Sequence, residues 1–314
     1  MRRLARLKLL CLAPRSAIHR CVGSTAKTGT NEVSPKDTPV KSAIDVENFT
    51  LNEDVVKRDM EALQRWNSLS CLMDTFRAGK RHRDMLDAVS QGLAMLEEMG
   101  AMNAPIQCEA LLHLEAAQAH YNLEEFESAL QCAQRAKGVL MEARAELRDA
   151  ARVAETNTLI GYILLKSGKI DEANHVFTEV LQWIDVDAKT TTPMQAVSAV
   201  NLRRSVVSGL GFCYHRLAER EQTSGSSAKE LFGKALDLLI EALNAHIDEN
   251  DHDSVKLTLL SVLQCFDGVG DGGQATTTAE KLVRWCGRHH DEEGAALGAE
   301  WREKMEQKYG KNDS

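Results

Sequence analysis

At 314 residues the chain is long enough for one or two ordinary domains, or for one elongated repeat array. A hydrophobic content of 43% excludes global disorder, and a background of Ala, Leu, Glu, Arg and Gln with only five prolines points to helices rather than strands. The net charge of −8 speaks against a nucleic-acid binder, whose phosphate contacts need a basic face.

The first 31 residues differ from the rest. They hold Arg2, Arg3, Arg6, Lys8, Arg15, Arg20 and Lys27, and no acid precedes Glu32. Leu4, Leu7, Leu10 and Cys11 fall at helical spacing, and small residues (Ser16, Ala17, Gly23, Ser24, Thr25, Ala26) follow. An Arg-rich, Ser-containing, acid-free amphipathic start is the composition of a mitochondrial transit peptide, so residues 1–31 are expected to be one. A positive helix is drawn inward by a negative-inside potential. The matrix is the expected destination, with a plastid as the alternative. The apolar stretch 9–13 is too short for a secretory core. This segment contributes +7 to the net charge of −8, so the remainder carries about −15. Residues 32–53, with Pro35 and Pro39 among Ser, Thr and Lys, read as a disordered linker. Residues 54–308 are expected to form the folded domain and 309–314 a disordered tail.

Five helical hairpins follow in order. The first has Trp66, Leu69 and Ser70 on its first helix, a turn at Ala78, Gly79 and Lys80, then Met85, Val89 and Gly92. In the second, Ala116, Ala117, His120 and Tyr121 precede a turn near 123–126 and then Ala129, Ala133 and Ala136. The third reads Ile160, Gly161 and Leu164, a turn at Ser167, Gly168 and Lys169, then Ala173, Phe177 and Val180. The fourth supplies Leu210, Gly211 and Tyr214, a longer turn over 221–227, then Ala228, Phe232 and Ala235. A fifth, weaker hairpin has Leu260, Ser261 and Gln264, then Ala279, Val283 and Cys286. A last helix over 292–308 carries Leu297, Trp301 and Met305 on one face and is expected to cap the stack.

A bulky residue, then Leu, then a small residue on the first helix, with small–aromatic–small on the second, resembles the tetratricopeptide repeat (TPR). The resemblance covers roughly residues 56–308. It implies an all-α, TPR-like α-solenoid of about five hairpins with a C-terminal capping helix, whose small residues sit where backbones approach closely. The departure is in the period. Ser70, Ala117, Gly161, Gly211 and Ser261 recur every 44–50 residues, whereas a standard TPR repeats at about 34. Longer repeats of this kind resemble the kinesin-light-chain and vesicle-fusion-adaptor branches of TPR-like folds.

The family's groove-facing positions, carried over one by one, give Asn67, Cys71, Asp74, Gln118, Tyr121, Asn122, Tyr162, Lys166, Phe212, His215 and Arg216. Cys71 and Asp74, with Glu155 and Leu159, stand where a clamp for a peptide's terminal carboxylate needs amides and cations, so that use is not expected. The remaining strip of Tyr121, Asn122, Tyr162, Lys166, Phe212, His215 and Arg216 mixes aromatics with cations. Such a surface suits an extended or helical protein segment.

Other motifs carry less. Gly268-Val269-Gly270-Asp271-Gly272-Gly273 has the dinucleotide-loop spacing but follows helical residues, so it reads as a flexible turn between helices. The segment 246–253, with His246, Asp251, His252 and Asp253, lacks the glycine and the terminal Glu of a calcium loop. The segment His289, His290, Asp291 and Glu292 lacks two further ligands at useful spacing. Both read as solvated acidic loops, with Asp291 placed to cap the last helix. The eight cysteines lie far apart with no CxxC pair and are expected to be reduced packing residues. No HExxH, GxSxG or P-loop occurs, so no catalytic residue, metal or cofactor is expected. The expected function is a non-enzymatic scaffold, adaptor or assembly factor for a mitochondrial multiprotein complex. The alternatives are a permanent structural subunit of a respiratory complex or mitoribosome, and a helical-repeat RNA-binding protein, which the acidic body disfavours. No membrane span is expected.

Overall fold

The computed structural model describes residues 53–99, 106–142, 150–186, 193–221 and 226–310. The transit-peptide expectation, nearly all of the linker and the final residues lie outside them. Among the described residues there is no strand. Eleven helices run α1 (Glu53–Ala78), α2 (His82–Met99), α3 (Ile106–Asn122), α4 (Phe126–Glu142), α5 (Ala150–Lys166), α6 (Ile170–Val186), α7 (Pro193–Arg220), α8 (Ser226–Asp248), α9 (His252–Val269), α10 (Gly272–Arg288) and α11 (Glu292–Tyr309). Each packs on the next, and α3, α5, α7, α9 and α11 also touch one another in succession. The odd-numbered helices therefore form a continuous layer, as an α-solenoid of five hairpins and a capping helix requires. The fold is all-α and TPR-like.

Tight turns recur with one construction. Lys80, Glu124, Gly168, Asn250, Gly270 and His290 each take a positive φ between 50° and 94°. The next residue's N–H donates five residues back, from Arg81, Glu125, Lys169, Asp251, Asp271 and Asp291, at 2.8–3.0 Å. This six-residue closure satisfies carbonyls that a helix end leaves open. Only two of the six left-handed positions are glycine, so composition alone marks a third of them.

Packing between hairpins depends on missing side chains. Phe177 of α6 is fully buried. A Cβ on Gly161 of α5 would stand 2.7 Å from its ring, and one on Gly209 of α7 would stand 2.4 Å from it. One aromatic ring is thus held between the helices of its own hairpin and the next. Phe232 of α8 repeats the device against Gly268 of α9, at 2.3 Å. Gly211 instead faces Leu239, at 2.8 Å. Ala129, Ala173, Ala228 and Ala235 are also buried, while Trp66 and Tyr214 pack on the core from half-buried positions. Ser70 is half-buried on α1 beside buried Leu69.

The glycine-rich segment holds the expected turn between helices, in a shorter form. Gly268 lies inside the last turn of α9, Gly270 is its left-handed cap, and Gly272 already belongs to α10. The turn is two residues, because Asp271 caps α10 by accepting from the Gln274 N–H at 3.0 Å. Ion pairs between hairpins reinforce the stack, Arg77 with Glu115 at 2.7 Å and Arg220 with Asp171 at 2.8 Å, and Arg204 with Glu249 at 3.1 Å ties α7 to the end of α8 within one hairpin.

Candidate partner-binding cleft

Along the odd-helix layer runs a cleft of about 360 Å³. From α3 it takes Tyr121; from α5, Tyr162, Leu165 and Lys166; from α7, Ser205, Ser208, Phe212, His215 and Arg216. His246 at the end of α8 and a face of α9, including Ser254, Leu257, Thr258 and Ser261, close the other side. Six of the seven residues singled out as a binding strip, drawn from three hairpins, therefore line one depression. Asn122 does not. It accepts from Gln118 Nε2 at 3.2 Å and lies 3.5 Å from His82 Nδ1 of α2. As the last residue of α3 it is drawn toward the α1–α2 hairpin. Asp74 pairs with Arg77 of its own helix at 2.5 Å, and Cys71 is exposed on α1 away from the cleft.

The lining residues have distinct positions. Tyr121 is buried, stands edge-on to Phe126 at 6.2 Å, and burial pushes its phenol up to about 12. Tyr162 donates its hydroxyl to the Ser205 carbonyl at 2.7 Å and stands edge-on to Phe177, so it also ties α5 to α7. His215 is 3% exposed and its Nε2 has no hydrogen-bond partner. Burial lowers its pKa below the ordinary imidazole value, more than the nearby Glu219 carboxylate raises it. The Tyr121 phenol and the His215 imidazole are therefore neutral near pH 7. Positive charge sits instead at the rim, on Lys166 and Arg216, both exposed, with Arg216 paired to Glu219 at 2.9 Å. Phe212, half-buried, and Leu257, 44% exposed, give the cleft apolar contact area.

Two features escaped the sequence pattern. One is His246, which with Asp251 is buried, so 246–253 is not a solvated loop: the chain turns there directly from α8 into α9. The other is the α9 wall. Its signal was present, since Ser254, Thr258 and Ser261 recur at helical spacing and mark a polar stripe on an otherwise apolar helix. The second supposed loop is also structural: Asp291 is 16% exposed and caps α11, accepting from the Gly294 N–H at 2.9 Å.

The lining offers recognition more readily than covalent chemistry. The Thr258 and Ser205 hydroxyls donate to carbonyls four residues back in their own helices. Ser208 Oγ stands 3.4 Å from His246 Nε2, longer than the ~2.6–3.2 Å of a nucleophile–base pair. No helix of the described residues is long and apolar enough to cross a membrane.

No family model and no curated protein matches the chain. Among solved structures, it is similar to a Podosopora anserina putative kinesin light chain with nearly identical TPR-like repeats. That likeness has 12% identity and a TM-score of 0.46, over 72% of this chain and 96% of the other. It is also similar to BtubC (BKLC) from P. vanneervenii, with 13% identity and a TM-score of 0.38, over 73% of this chain and 92% of that one. What defines the fold is this chain's own helix order and packing.

Proposed function

We propose that this protein is a protein-interaction scaffold and that the α3–α9 cleft holds a segment of its partner. The observation that carries the reading is the convergence of Tyr121, Tyr162, Lys166, Phe212, His215 and Arg216 from three successive hairpins on one cleft. Aromatic anchors beside cations are what partner-binding surfaces concentrate at their centres. The cations stand out on a chain of net charge −8, so an apolar side chain seated near Phe212 and Leu257 with an acidic group at the rim matches the lining. Helices locked by buried aromatics hold the cleft in shape before binding, so the scaffold loses little entropy when a partner arrives.

Within that reading we place the scaffold in mitochondria, as an adaptor or assembly factor for a multiprotein complex. Support for the compartment is the basic, acid-free start of the chain.

The test uses the full-length protein in cells, with a photo-crosslinking phenylalanine analogue at Phe212 or, as a control, at exposed Met141. Adducts at 212 that weaken several-fold in the Lys166→Glu/Arg216→Glu variant support the cleft, since rim charges steer association. Identical adducts at both positions, or adducts indifferent to the charge reversal, refute it. A reporter fused to residues 1–31 that stays cytosolic refutes the compartment independently. In native separations of the organelle, substoichiometric co-migration with a large complex fits an assembly factor, and fixed stoichiometry a permanent subunit.

A further inference from the structure

Two sequence segments, each short of ligands on its own, meet at the end of the array. His252 opens α9, Cys286 lies in the last turn of α10, and Asp291 caps α11. One donor atom from each, an imidazole nitrogen, the thiol sulfur and a carboxylate oxygen, lies within 4.8 Å of the others. His252 Nε2 is 3.0 Å from Asp291 Oδ2. Cys286 is fully buried, whereas His252 and Asp291 keep 17% and 16% side-chain exposure, which leaves a path from solvent.

The surroundings hold these groups in place. The Cys286 carbonyl accepts from the His289 and Asp291 N–H groups at 3.1 and 3.0 Å, fixing the turn between thiol and carboxylate. The rings of Trp285 and His289 stack on His252, with centroids 6.5 and 4.7 Å away. Gly294 completes the cradle: a Cβ there would stand 2.6 Å from Asp291 Oδ2 and 2.7 Å from Cys286 Sγ. A side chain at that position would fill the space the donors face. The buried His252 Nδ1 and Trp285 Nε1 have no hydrogen-bond partner, so the hydrogen bonding of this junction is incomplete.

We propose that His252, Cys286 and Asp291 form a transition-metal site of the zinc class that clamps α9, α10 and α11 together. The donor set selects the metal. Calcium and magnesium take oxygen ligands, whereas nitrogen, thiolate and carboxylate together suit zinc. Zinc bonds of about 2.0–2.3 Å set tetrahedral donors roughly 3.2–3.8 Å apart, so His252 Nε2 and Asp291 Oδ2, now 3.0 Å apart, part slightly while any wider spacing within the 4.8 Å limit closes, with water in the fourth position. The sulfur–metal bond replaces the thiol S–H, whose proton passes to solvent. Lys256 Nζ now stands 2.6 Å from Asp291 Oδ2 and occupies the cation's place. Its side chain is 29% exposed and swings to water, still charged, when a divalent ion takes the carboxylate.

The experiment titrates cobalt(II), as a coloured stand-in for zinc, into chelator-treated full-length protein. One equivalent is expected to produce a thiolate-to-cobalt charge-transfer band and intense tetrahedral visible bands, which zinc then abolishes. Cys286→Ser loses the charge-transfer band. Lys256→Gln, a substitution at a half-exposed position, binds the ion about tenfold tighter because a competing positive charge is gone. A purely structural Lys256–Asp291 pair gives no such gain. No charge-transfer band in the unmodified protein, a band that persists in Cys286→Ser, or unchanged or weaker affinity in Lys256→Gln each overturns the site.

Discussion

Adding one methyl group has opposite consequences at two glycines of this chain. At Gly209 a Cβ would stand 2.4 Å from Phe177, and the ring has no room to retreat because Gly161 closes in from the other side. Gly138 of α4 has nothing within 4 Å of its would-be Cβ. In a helix interior, Gly→Ala is worth about 1 kcal/mol in propensity, but overpacking a filled core costs about 1–3 kcal/mol. Gly138→Ala is therefore expected to raise stability by up to about 1 kcal/mol in urea denaturation, and Gly209→Ala to lower it. Combining Gly209→Ala with Phe177→Leu should recover part of the loss. Equal effects at the two glycines would mean that the Phe177 seat is not tight. The same residues show what a sequence can disclose. Gly161 and Phe177 stand out because their spacing repeats, whereas Gly209 is masked by Gly211, two residues on, and Gly268 by a run of turn-like glycines. A glycine's role here depends on which ring faces it, and that is decided by the neighbouring hairpin.

At the level of the helix, what stayed hidden was the ends. Helix bodies were legible because apolar and small residues recur with helical period, and all five hairpins and the capping helix lie where that period places them. The turns were harder, since Lys80, Glu124, Asn250 and His290 adopt the left-handed conformation without being glycine. Each is followed by the closure bond from the next N–H, and at Asn250 and His290 that next residue is an aspartate that caps the following helix. Asp251, Asp271 and Asp291 perform that task for α9, α10 and α11. Asp271 separates the capping effect from other contacts: it is exposed, and its Oδ1 accepts from Gln274. Asp271→Ala is expected to cost about 1 kcal/mol, and Asp271→Ser to restore most of it, as an N-cap oxygen does. Thermal melts of the three proteins decide this; equal losses for Ala and Ser would assign the effect to lost charge instead. The cleft was legible for the same reason as the helix bodies. Tyr121, Tyr162 and Phe212 project from equivalent helices, whereas the α9 hydroxyls carry no aromatic or charge that would single them out in the repeat pattern.

Across the molecule the core is segmented. Leu69, Met85, Val89 and Leu112 belong to one cluster shared by α1, α2 and α3, while Ile163, Phe177, Leu202 and Val206 belong to another spanning α3 to α7. In an array where each hairpin touches only its neighbours, stability is close to a sum of local and interface contributions. Damage at an end should then remain local, and damage in the centre should spread. Leu112 is 2% exposed and fills the space left by Gly92, so Leu112→Ala removes about 2–5 kcal/mol from the first cluster. Hydrogen exchange is expected to show α1 and α2 opening while α5 to α8 keep their protection. Phe177→Ala, at about 3–5 kcal/mol, removes the ring between α5 and α7 and should lower protection on both sides. Since the cleft draws on α3 through α9, this predicts that Leu112→Ala leaves crosslinking at position 212 largely intact and Phe177→Ala abolishes it. Uniform loss of protection in both variants would make the array one cooperative unit, and the cleft would then fail with any hairpin.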